Sequence, residues 1–191
     1  MRTYPVATFA LAVLAVAGLG SIVCAETSGP FITSTPVPLT KTDWTGILNF
    51  PKFDPTLGVL NQVDISLTAY METILTVTNT ATSVSSGRAS TEVQVSLVDP
   101  LDLIGMELDF YSPDYAFTLS PGQSATSGLL AASDTEMQSF SSVDILSEFT
   151  GPGTIAMNAD TFTYSWIVFS GGNANAVQAT RASATGAVTY H

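Results

Sequence analysis

A chain of 191 residues with sixteen acidic and five basic side chains, net charge −11, is a poor partner for a phosphate backbone, which excludes nucleic-acid binding. Only 11% of the residues are charged, while Ser and Thr are abundant, a composition that suits strands with hydroxylated outer faces better than helices. With a single cysteine, Cys24, and a single histidine, His191, neither thiolate metal sites nor His-based triads are available.

The N-terminus reads as a secretory signal peptide over residues 1–25. Arg2 supplies its positive charge, an uncharged apolar run extends from Phe9 to Val23, and Val23 and Ala25 occupy the small-residue positions of a cut before Glu26. That run is shorter than the ~20 residues of a bilayer span. Cleavage removes Arg2 and Cys24, leaving 166 residues of net charge near −12 with no disulfide and no further membrane span. The expected location is therefore secreted, extracellular or periplasmic, with no membrane partner after cleavage. A chain of this length buries ~70% of its unfolded surface, enough for one domain without covalent staples.

Residues 26–43, with three prolines and no periodicity, read as an extended Pro/Thr-rich leader, and a single domain is expected over 44–191. "WTGILNF" predicts the first strand. In "FDPTLG", Asp54-Pro55 favours a turn and Gly58 permits positive φ; Phe53 and Leu57 are expected to plug the end of the fold. Val63, Ile65, Leu67 and Ala69 then alternate with Asp64, Ser66 and Thr68, the signature of a half-buried antiparallel strand. "ILTVTNTA" and "STEVQVSLV" continue the pattern around "TSVSSGR"; "MELDFYS" and "YAFTLS" follow, divided by Pro113-Asp114; and "SPGQSATSG" signals a further hairpin or loop.

One stretch departs from this period. Ser133 and Glu136 have the spacing of a capping box, and Met137, Phe140, Val143, Leu146 and Phe149 recur at near-helical spacing, so a short helical turn is expected over 143–149. "GTIAMNA", "FTYSWIVFS" and "ATGAVTYH" then return to strands. The fold class predicted is all-β: an antiparallel β-sandwich or jelly roll with one short helical turn.

With these elements placed, "FPKFDPTLGVLNQVDISL" resembles the opening of the choice-of-anchor E domain, a bacterial extracellular β domain. "FTGPGTIAM", "FSGGNANAV" and the terminal "GAVTYH" are similar to its later strand entries and turns. The resemblance covers Trp44 to His191 and rests on turn and packing residues; it implies a fold and no catalytic residues. Members carry a C-terminal sorting tail. The sequence stops at His191 without one, so release rather than anchoring is the expectation.

Two residue groups carry what chemistry the sequence offers. Asp99, Asp102, Glu107, Asp109 and Asp114 form its densest acidic cluster. Turns and a solvated strand face account for them, and if they bind a cofactor, Asp99, Asp102, Asp109 and Asp114 suit calcium, which takes hard oxygen ligands. A glycosidase would need two carboxylates across a cleft. Trp44, Tyr111, Tyr115 and Trp166, with Tyr164, are candidates for stacking on sugar rings. Against this, the row Phe162, Tyr164, Trp166, Val168 ends in apolar residues and is expected in the core. The sequence thus reads as a non-enzymatic extracellular structural or interaction module with an extracellular protein or polysaccharide as partner. The alternative is a carbohydrate-binding module, with or without calcium. So few lysines leave strand edges unguarded against pairing with a second copy.

Overall fold

Alternation at period two persists for 17 residues in β4 (Val63–Asn79), far beyond an ordinary strand, and it decides the architecture. Every odd residue from Val63 to Asn79 is buried and the even ones are not, so one face must be covered along its whole length. The cover is a second sheet, giving the predicted all-β sandwich. The computed structural model describes residues 28–32 and 35–191; the segment read as a signal peptide lies outside the described residues.

One sheet is centred on β4 and β11 (Ala174–Tyr190), paired antiparallel from Val63–Tyr190 to Asn79–Ala174. The other centres on β5 (Ser85–Val98) and β10 (Thr154–Ser170), with β3 (Thr45–Pro51) along the first half of β10. The far edge of the second sheet is a single course interrupted once: β6 (Gly105–Tyr111) and β7 (Tyr115–Leu119) lie in succession along β5. The far edge of the first sheet repeats this device, with β8 (Ser124–Thr126) and β9 (Leu130–Phe140) in succession along β4. Where the hairpin or loop "SPGQSATSG" is expected, the chain crosses from one sheet to the other.

Several expectations need correction. Residues 26–43 were expected as a leader, yet β1 (Ser28–Ile32) and β2 (Val37–Lys41) both pair antiparallel with β11. Pro38 is tolerated there because β2 is an edge strand. Ser133 and Glu136 sit within β9, so their capping-box spacing forms no cap; sheet pairing with β4 overrides local propensity. The helix itself, α1 (Val143–Glu148), falls where the turn over 143–149 was expected. Asp54 does cap a 3-10 turn at Pro55–Leu57, accepting from the Thr56 N–H at 2.9 Å, and Gly58 has φ 150°. Phe53 is buried against Tyr190, ring centroids 5.7 Å apart, but Leu57 is 61% exposed and plugs nothing. His191 is held at the sheet end: Asn61 donates to its carbonyl at 2.7 Å and its Nε2 lies 2.7 Å from Asp64.

The interior divides in two. The main core runs from Leu48 and Phe50 through Val63, Ile65 and Leu67 to Val93, Met106, Phe149 and Tyr190. A smaller core holds Leu75, Val77, Ala89, Phe117 and Leu119. At the level of Thr73 the buried side chains are hydroxyls: Thr73 Oγ1 lies 2.8 Å from Thr180 Oγ1 and 3.1 Å from Thr91 Oγ1. Each hydroxyl can both donate and accept, so this crossing of polar groups through a sandwich is internally satisfied.

Candidate functional site

The outer face of the β10–β5–β6 sheet gathers the aromatic residues. Along β10 the inward phase is set by Ile155, Met157 and Ala159, all buried, and the strand runs on without a break. The same phase therefore turns Phe162, Tyr164, Trp166 and Val168 outward, where they are 53%, 48%, 54% and 62% exposed. This corrects the expectation that the row is core.

Cross-strand pairing places Tyr164 opposite Glu92 and Glu92 opposite Tyr111; Phe162 faces Gln94, and Gln94 faces Asp109. Residues directly opposite share a face, so the rings and the polar side chains form one surface. Glu92 knits it together: Trp166 Nε1 donates to its carboxylate, and the hydrogen bond from Tyr111 raises the phenol pKa above its usual value. The Phe162 and Tyr164 rings lie 5.2 Å apart, inclined at 42°. At the rim, Arg88 pairs with Asp114 at 3.3 Å, and Gln94 donates to Glu107 at 2.7 Å.

Of the five aromatic candidates, this surface unites Tyr111, Tyr164 and Trp166. Trp44 instead packs against the main core and donates from Nε1 to the Ala182 carbonyl at 3.2 Å. Tyr115 packs against the smaller core. The sequence signal that finds the missed member, Phe162, is the continuous phase of β10 from Ile155 onward.

The calcium candidates do not converge. Asp99 is buried and accepts the Leu101 N–H at 3.0 Å and the Ile104 N–H, organising the β5–β6 hairpin. Asp102 occupies the turn of that hairpin with φ 59°, Asp109 lies on the aromatic face, and Asp114 pairs with Arg88. Among the described residues no group of three or more His, Cys, Asp or Glu could hold a metal ion.

Asp99 has an unanticipated neighbour in Glu148, at the end of α1. Burial, then a hydrogen bond with Asp99 and its charge, pushes the Glu148 carboxyl up from 4.5 to about 7, with Lys52 opposing.

A concavity of about 580 Å³ opens beside β11 where β2 ends. Lys41 and Arg181, cross-strand partners, line it with Asp43, Glu72 and Gln178. The Gln178 Oε1 is buried there with no hydrogen-bond partner.

No family model matches the chain, and no curated protein matches it. Among solved structures it is similar to the infectious bursal disease virus Gt strain structure, at 11% identity and TM-score 0.19 over 83% of this chain and 42% of that one. It is likewise similar to the D431N mutant VP2 protein of the same virus in derived T=1 particles, at 8% identity and TM-score 0.15 over 94% and 44%. The chain spans less than half the length of either, and likeness of this degree bears on neither fold nor function. Among the described residues no helix is long and apolar enough to cross a membrane.

Proposed function

We infer that the protein is a secreted, non-enzymatic interaction module of the cell exterior that binds carbohydrate on the outer face of its β10–β5–β6 sheet. The observation that carries this reading is the exposed row Phe162, Tyr164, Trp166, joined to Tyr111 through Glu92. An apolar row on a solvated sheet face loses favourable burial unless something covers it. Sugar rings suit it, since their apolar faces stack on aromatic rings while their hydroxyls meet side chains such as Glu92, Gln94 and Asp109. Along a strand, alternate residues are ~7 Å apart, so the three rings span ~13 Å, the reach of a short oligosaccharide. The signal peptide read from the sequence supports export.

The test is calorimetric titration of the purified protein against soluble bacterial and plant polysaccharides, in calcium and in chelator. Saturable heat is expected for at least one glycan, equal in both buffers, and Trp166→Ala should weaken it about tenfold, the equivalent of ~1.4 kcal/mol. A folded Trp166→Ala protein that binds as well as the parent, or silence across the panel, overturns the carbohydrate reading. Silence would redirect the search to protein partners.

A further inference from the structure

The strand that carries the aromatic row has an open side. β3 accompanies β10 only from Thr154 to Asp160, whereas β5 follows the other side as far as Ser170. Among the described residues, no strand pairs with the free side of Phe162–Ser170; Thr42 and Asp43 approach only the Thr163 side chain there. A run of backbone donors and acceptors is thus left as a template for another strand.

Native edges are ordinarily guarded by lysine, proline, a bulge or an inward-pointing charge. This edge has none of them. From Thr161 to Thr180 there is no Asp, Glu, Lys, Arg or Pro, in a chain that carries sixteen acidic residues elsewhere. The uncharged stretch coincides with the unpaired half of β10, its turn, and the first residues of β11.

We propose that this edge pairs antiparallel with the same edge of a second copy, forming a twofold dimer with one continuous sheet. The free segment is complementary to itself. Antiparallel pairing of a segment with itself is isologous and closes at two copies. Centring the axis on Trp166, the middle of the free segment, sets Trp166 against Trp166 and Tyr164 against Val168 on the outer face. It sets Ser165 against Ile167 and Thr163 against Phe169 on the inner face. Aromatic–aromatic and aromatic–β-branched pairs are the favourable cross-strand combinations. Each copy is strongly acidic, and this strand edge carries no charge of its own, the nearest carboxylate being Asp43 at its Thr163 end.

The pairing also completes the interior. Ile167 and Phe169 belong to the smaller core but are only partly covered, and Ser165, on the same inward phase, is exposed. A second β10 would lay its own Ile167 and Phe169 across that gap. Because strands in one sheet lie ~4.8 Å apart, the two aromatic rows would stand side by side, doubling the stacking surface without covering it. This last consequence rests on the carbohydrate reading; the dimer does not.

Sedimentation equilibrium of the purified protein, with two variants, tests the proposal. The parent is expected at twice the single-chain mass at micromolar concentration. Ser165→Lys, which places a charge at an exposed position of the free edge, should return the mass to one chain. Ala156→Lys, exposed on the same strand but in the half already flanked by β3, should remain dimeric. A parent protein that stays at one chain mass into the millimolar range overturns the proposal, as does loss of the dimer in both variants alike. A dimer that binds no glycan would leave the pairing standing and remove the carbohydrate reading alone.

Discussion

Glu148 sits where two requirements collide, because α1 delivers its carboxyl beside Asp99, whose own oxygens are committed to the β5–β6 hairpin. Burial first, and then the neighbouring Asp99, favour the protonated form of Glu148, whose pKa rises from 4.5 to about 7. A raised carboxyl pKa stabilises the fold in its protonated form. That contribution is complete below about 4.5, where the unfolded chain is also protonated, and is lost as pH rises through about 7. Glu148→Gln keeps a donor toward Asp99 and discards the charge. It should raise the melting temperature at pH 8, leave it nearly unchanged at pH 4, and flatten the decline between them; thermal melts across that range check this. An identical shift at both pH values would mean that repacking of α1, not protonation of the carboxyl, controls the effect. None of this was legible in the sequence: Asp99 and Glu148 are 49 positions apart, and nothing local shows that the hairpin tip and α1 meet. Asp54 was legible because its turn is closed by Thr56, two residues on.

At the scale of elements, the two interrupted edges use one device. Ser112 donates its N–H to the Thr91 carbonyl at 2.8 Å, while its hydroxyl accepts the Thr91 N–H at 3.0 Å and lies 3.1 Å from the Pro113 carbonyl. Ser127 treats Leu75 and Gly128 in the same way, at 2.8, 2.9 and 2.8 Å. A serine hydroxyl thus replaces the ladder carbonyl lost where the strand breaks, sparing a buried N–H. Removing it by Ser112→Ala or Ser127→Ala should cost ~1–3 kcal/mol, the penalty for an unsatisfied buried donor. Ser→Thr at either site should recover part of it, and urea unfolding midpoints at constant slope would read both. Costs near zero would mean that water reaches Thr91 and Leu75. The breaks themselves were visible as Pro113-Asp114 and "SPGQSATSG", but their effect was not, since a turn signal does not say whether the chain reverses, crosses between sheets or resumes the same edge. The misplaced aromatic row has a similar origin. Read as two strands, "GTIAMNA" and "FTYSWIVFS" have independent phases, and the apolar row of the second falls naturally inward. Joined as β10, they share the phase fixed by Ile155, Met157 and Ala159, and the row faces outward.

For the whole molecule, the dominant electrostatic fact is net charge rather than pairing. With a net charge of −11, the described residues make an ion pair at Arg88–Asp114 and a contact of His191 with Asp64 that is ionic only when the imidazole is protonated. The first is exposed, and pairs of that kind contribute about 0–1 kcal/mol. Mutual repulsion among the carboxylates therefore outweighs what salt would remove by screening these two contacts. Raising the ionic strength from about 0.01 M to about 1 M shortens the Debye length from ~30 Å to ~3 Å, so the melting temperature should rise with salt. The same screening acts between copies. The pairing strands carry no charge of their own, while Asp43 and the surrounding carboxylates repel across the contact, so the dimer dissociation constant should fall over the same range, measured by sedimentation at fixed pH. Ion pairs hidden in the association would give the opposite slope, since salt would then loosen the contact it is expected to strengthen.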